Sequence, residues 1–166
     1  MTERKEAVVP HDGREIILSR LVRAPREIVF QAWTSPEKLA DWWGPKGFKI
    51  TIESFNMETA GEWKFVLHSP DGVDYPNRVV FIEVVEPERI AFSQSSDTDN
   101  DPDQFNTTVS FEDQGDCTCI DMRLIFKTNE ARDHVIRSYD GIEAAQQSLD
   151  KLEEILFRTI ADRLHV

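Results

Sequence analysis

Only two cysteines, Cys117 and Cys119, occur in 166 residues, and no run approaches the roughly 18 apolar residues that a membrane-spanning helix needs. The first scarcity excludes a disulfide scaffold, and the second a helical membrane anchor within the sequence. The two thiols lie two apart in an expected strand, where they share a face at a spacing that strains direct closure; they read as structural thiols. The four histidines, His11, His68, His134 and His165, are scattered without ligand spacing, so no metal site is expected. Positive charge is also in short supply. Nineteen Lys and Arg stand against 31 Asp and Glu, a net charge of −12 that repels phosphate backbones and anionic lipid. Nucleic acid and membrane surfaces are therefore not expected partners. A nucleophile elbow, a phosphate-cradling glycine loop and a dinucleotide fingerprint are all missing, which leaves recognisable cofactor chemistry without a foothold; no cofactor is expected. The start of the chain carries no apolar signal region, so a cytoplasmic location is expected.

Aromatic side chains, by contrast, are abundant and clustered. Ten Phe, four Trp and two Tyr are present, and Trp33, Trp42 and Trp43 fall within eleven residues of one another. Pro25 and Pro36 each suit the first turn of a helix, where the missing amide hydrogen costs little, so two short helices are expected from Pro25 to Trp33 and from Pro36 to Trp43. Gly44 and Pro45 end the second. A helix pair carrying an indole pair must pack on something concave and apolar, and is expected to form a lid.

Period-two alternation predicts one strand before the lid and six after it. They are expected at Glu15 to Arg23, Phe48 to Met57, Gly61 to His68, Tyr75 to Val85, Arg89 to Ser95, Phe105 to Asp113 and Cys117 to Lys127, with short turns that favour an antiparallel meander. Trp63, Phe65 and Leu67 share one face of their strand; Ile120, Met122, Leu124 and Phe126 share one face of theirs. From Glu130 to Leu164 apolar residues recur three and four apart through Val135, Tyr139, Ile142, Ala145, Leu149, Leu152, Leu156 and Ile160. That spacing predicts one long amphipathic helix, bent at Gly141, with Leu152 buried and Lys151 on its polar side. A chain of this length buries about 70% of its unfolded surface, enough for one core. A single domain over residues 14–166 is expected, preceded by an extension over residues 1–13.

Several stretches together carry a family resemblance: Arg20 to Thr34 around Pro25 and Trp33, Ala60 to Phe65, Ser69 to Gly72, Val84 to Ile90, and Gly141 to Leu152. In that order they resemble the bacterial homologues of the activator of heat shock protein 90 ATPase, a branch of the START-like (SRPBCC) superfamily, over roughly residues 14–160. The resemblance implies an α+β helix-grip fold: a curved antiparallel sheet of about six to seven strands wrapped round a long C-terminal helix, with two short helices after the first strand, often enclosing an apolar cavity. Where the family commonly has Asp-x-Arg-x-Gly-Gly, this chain has Asn56, Glu58, Ala60 and Gly61, an acidic side chain replacing a basic one.

The functional expectation combines the aromatic stock with that fold. The chain is expected to be a binding protein for a small hydrophobic or aromatic ligand, non-catalytic, its cavity lined by Trp33, Trp43, Phe48, Trp63, Phe65, Phe81, Phe92, Phe111 and Tyr139. A second reading is a partner-binding accessory module whose partner is a chaperone or other protein. A third is a cyclase- or hydrolase-like enzyme, which would need a pair among Glu53, Glu62, His68, Glu83 and Arg123 turned inward as acid and base. Register decides which of Ser54, Asn77, Gln94 and Arg123 reaches the interior. Asp97 to Asp103 imitates the start of a calcium loop, but Pro102 and Thr108 stand where that loop needs glycine and glutamate, so a solvated connector is expected.

Overall fold

The computed structural model describes residues 4–164, so His165 lies outside them. Seven strands form one antiparallel sheet: β1 (Glu15–Val22), β2 (Lys49–Phe55), β3 (Glu62–His68), β4 (Asp74–Val85), β5 (Arg89–Ser96), β6 (Phe105–Gln114) and β7 (Cys117–Phe126). Their spatial order is β1-β7-β6-β5-β4-β3-β2, so β7 crosses back to pair with β1 while the others follow the chain. Helices α1 (Arg26–Thr34) and α2 (Pro36–Trp42) follow β1, and α3 (Asn129–Tyr139) and α4 (Gly141–Leu164) close the chain. The sheet is curved and open, the helix-grip arrangement expected from the sequence. No helix among the described residues is long and apolar enough to cross a membrane.

The strand alternation directs the core. Ile16, Leu18, Trp63, Phe65, Val79, Phe81, Ile90, Phe92, Val109, Phe111, Ile120 and Met122 all turn to one side and are buried there. Leu149, Leu152 and Leu156 of α4 meet that face. Pro25 precedes α1 and Pro36 opens α2, as their fixed φ favours. The Trp42 indole then donates to the Ala32 carbonyl at 2.9 Å, fastening α2 to α1.

The C-terminal region departs from expectation in one respect. The predicted single helix is two, because Asp140 adopts a left-handed conformation (φ 49°, ψ 48°) and ends α3. Gly141 does not bend a helix; it starts one. A Cβ there would lie 3.0 Å from Val135 Cγ1 and 3.3 Å from its carbonyl, so glycine lets α4 leave close against α3. Tyr139, at the end of α3, consequently falls off the apolar stripe and is 54% exposed.

Residues 4–13, expected as an extension, lie along the body. Val8 bridges Ile17 of β1, Arg4 ion-pairs with Glu143 and Asp150 of α4, and Arg132 of α3 donates to the Pro10 carbonyl at 2.6 Å. At the departure from the family pattern, Ala60 takes φ 67°, the left-handed region that glycine occupies without a Cβ penalty. Glu58 there is exposed and accepts from the Asn56 side-chain amide.

Candidate functional site

Between the sheet and α4 the packing is incomplete. Trp33, Trp42 and Trp43 wall one side of a cavity of about 200 Å3, and Phe92, Met122 and Leu124 of the sheet form its floor. The space exists because the facing side of α4 is cut back. Gly141, Ala144, Ala145 and Ser148, spaced three, one and three apart on that helix, all line it, and four small residues cannot fill what leucines at the same places would. The side chains bordering the chamber include no ionisable group; its polar ones are Gln94, Thr107 and Ser148. Thr107 is 2% exposed, and the Trp33 indole nitrogen on the opposite wall is buried with no hydrogen-bond partner among the described residues. Gln94 donates its amide to Asn77 Oδ1 at 3.3 Å.

The chamber adjoins a wider groove of about 600 Å3, with Pro45, Gln94, Phe105, Val135, Gly141 and Ala144 common to both walls. Phe48, Tyr75 and Tyr139 line this outer compartment, together with Asp103, Arg137 and Asp140. At the junction the chain from Trp43 to Phe48 is tied to α4. Gly44 donates its amide to Ser148 Oγ (3.1 Å), Lys46 its amide to Gln147 Oε1 (3.0 Å), and Lys151 its ammonium to the Pro45 carbonyl (3.3 Å). Burial holds the Lys151 pKa below the usual lysine range. Gly44 sits at φ 102°, and a Cβ on it would meet Leu67 Cδ2 at 2.9 Å, so the tie requires glycine at that position.

The nine residues expected to line one cavity divide into three groups. Trp33, Trp43 and Phe92 border the inner chamber, and Phe48 and Tyr139 border the outer groove. Trp63, Phe65, Phe81 and Phe111 border neither. They pack into a solid aromatic cluster: Trp63 stands 4.4 Å from Phe65, Phe81 6.3 Å from Phe92, and Phe111 5.8 Å from Trp33, centroid to centroid. They face inward as the alternation requires, but the half of the sheet beneath α1 and α2 is filled by Trp43, whose ring meets Trp63 at 5.0 Å and Phe65 at 6.2 Å. Trp43 thus divides packed core from open chamber. Trp42, expected beside it on the lid, is 1% exposed and belongs to the chamber wall.

Register also places the polar candidates. Gln94 reaches the chamber and Asn77 the groove, whereas Ser54 and Arg123 border neither; Arg123 lies 3.7 Å from Glu15. Glu53, Glu62, His68, Glu83 and Arg123 are all absent from the cavity walls. His68 is engaged by Thr51 and Asp74, each at 2.7 Å, and Glu83 accepts from Arg89 at 2.6 Å, a bond that holds its carboxyl below the usual carboxylate range. In the acidic connector, Asp101 accepts from the Ser96 amide and hydroxyl and from the Asp103 amide, tying the turn together. Among the described residues no group of three or more His, Cys, Asp or Glu side chains is placed to hold a metal ion.

A curved sheet gripping a helix over an apolar chamber defines a cavity-bearing helix-grip protein. The family model for Activator of Hsp90 ATPase homolog 1-like protein matches residues 23–156, and the chain belongs to that family. Solved structures share the fold. A protein from Arthrobacter aurescens is 16% identical with a TM-score of 0.84, over 92% of this chain and 91% of its own. One from Mycobacterium smegmatis is 19% identical with a TM-score of 0.83, over 95% and 99%. The AHSA1 protein of Silicibacter pomeroyi is 19% identical with a TM-score of 0.71, over 87% and 99%. No curated protein matches the chain.

Proposed function

We propose that this chain is a non-catalytic binding protein that holds a small hydrophobic or aromatic molecule in its internal cavity. The observation that carries the reading is the inner chamber itself: walled by indole, phenyl and aliphatic groups, free of ionisable side chains, and sharing six wall residues with an outer groove. An apolar cavity of about 150 Å3 accepts a benzene-sized guest, so this chamber has room for one ring or a short alkyl chain. The acid-base candidates Glu53, Glu62, His68, Glu83 and Arg123 border neither compartment, which supports binding over catalysis. A cytoplasmic setting fits the two free thiols, Cys117 and Cys119.

The test is titration with a hydrophobic fluorophore. Binding in the micromolar range is expected, and Trp43→Ala, which removes the wall between chamber and core, should weaken it by roughly 1–3 kcal/mol through lost contact area. Unaltered affinity in a folded Trp43→Ala protein would place the fluorophore somewhere else.

One observation favours the accessory-module reading as a second possibility. Phe157 and Leu164, seven apart on α4, are 73% and 80% exposed and offer an apolar contact for a protein partner. Stimulation of a heat shock protein 90 ATPase by the purified chain, with no fluorophore bound, would put that reading first.

A further inference from the structure

We propose that the outer groove recognises a cationic head, so that the occupant is an amphiphile with an apolar tail in the chamber and an amine or quaternary ammonium group outside; this rests on the cavity-binding reading above. The two compartments differ sharply in chemistry. The chamber has no charged wall, whereas the groove carries Asp101, Asp103 and Asp140 against the guanidinium of Arg137. Asp101 is committed to the turn it ties, and Lys127 behind it donates to its backbone carbonyl at 2.9 Å. Asp103 meets the His134 ring at 3.1 Å, and Asp140 makes no ion pair among the described residues. Two carboxylates thus retain acceptor capacity toward a guest, against one cation.

The aromatic lining points the same way. Phe48 and Tyr75 lie 6.3 Å apart on one lip, and Tyr139, 54% exposed and packed edge-on against His134 at 5.8 Å, stands on the other. Exposed aromatic faces beside carboxylates attract ammonium groups, whose charge the ring quadrupoles stabilise with little desolvation. The overall charge of −12 adds a long-range field of the same sign. A fatty-acid carboxylate would meet each of these features as repulsion. The exposed position of Tyr139 therefore has a use that core packing does not give it.

Three probes with one tail and different heads separate this proposal from the reading beneath it. Octyltrimethylammonium, octanol and octanoate, each below its aggregation concentration, are to be measured by displacement of the bound fluorophore. The ammonium probe is expected to bind about tenfold tighter than octanoate, with octanol between them, and the gap should shrink as salt rises toward about 0.5 M. Asp140→Asn, which keeps a side chain tolerant of the left-handed conformation, and Tyr139→Ala should each narrow the gap by about threefold, the loss falling on the ammonium probe. Equal affinities for the three probes, or octanoate binding tightest, would overturn the cationic preference and leave the apolar cavity standing. Failure of all three to displace a bound fluorophore would overturn it too. A fluorophore that does not bind at all would remove both claims.

Discussion

Arg20→Ala is expected to lower the stability of the fold by about 3–5 kcal/mol, because it leaves the carboxylates that Arg20 serves without their buried partner. Arg20 points inward from β1 among apolar neighbours and is 1% exposed. It donates to Asp150 at 3.0 Å, to Glu153 at 2.6 Å and to the Gln146 side-chain carbonyl at 2.8 Å, thereby pinning α4 to the first strand. Desolvation works against ionisation of Asp150, but hydrogen bonds from Arg4 and Arg20 outweigh it and hold its carboxyl below the usual carboxylate range. A depressed folded-state pKa contributes stability that is present above the unfolded value and lost as pH falls through the folded one. The difference between wild type and variant should therefore be full at neutral pH and narrow below about pH 4. Denaturant melts at both pH values measure it; a neutral-pH cost under about 1 kcal/mol would mean that the network contributes little to holding α4.

Leu152→Ala should cost about 2–5 kcal/mol, since Leu152 is 0% exposed at the centre of the α4 stripe and its removal opens a hole in close-packed surroundings. Glu154→Ala, on the exposed side of the same helix, should stay within about 0.5 kcal/mol. Lys151, read from the sequence as lying on the polar side, is not a neutral control, because its ammonium is half-buried and holds the Pro45 carbonyl. Equal costs at Leu152 and Glu154 would contradict the assignment of the helix face.

Strand boundaries were legible in the sequence to within a residue or two. Alternation over half-buried strands leaves little freedom, and turn chemistry at Asp71-Gly72 and Gly115-Asp116 marks where each strand stops. The two short helices followed from Pro25 and Pro36. The split of the last helix did not, because one left-handed residue, Asp140, interrupts a spacing that otherwise runs through it; periodicity sees which residues are apolar, not where a backbone turns. The cavity walls were half legible for a related reason. Large aromatics announce which face is inward, but not whether their neighbours leave room, so Trp63, Phe65, Phe81 and Phe111 read the same as Trp33 and Phe92. The informative signal lay in the small residues. Gly141, Ala144, Ala145 and Ser148 share one helix face opposite large side chains, and missing volume on an inward face marks empty space more directly than aromatic content does. Thr107 and Gln94, the polar groups at the chamber, needed register as well: Thr107 is paired with Phe92, and Gln94 with Val79 on one side and Phe105 on the other.

Whether that space holds a guest is tested most directly by filling it. Ala145 borders the chamber and not the outer groove, and leucine is at home in a helix, so Ala145→Leu adds three carbons to the cavity with little demand on the backbone. Affinity for the hydrophobic fluorophore, measured beside thermal stability in the same variant, should fall at least about tenfold while the melting temperature holds or rises, since a void is exchanged for packing. Undiminished binding, or a folded state clearly destabilised by overpacking, would contradict an open chamber as the binding site.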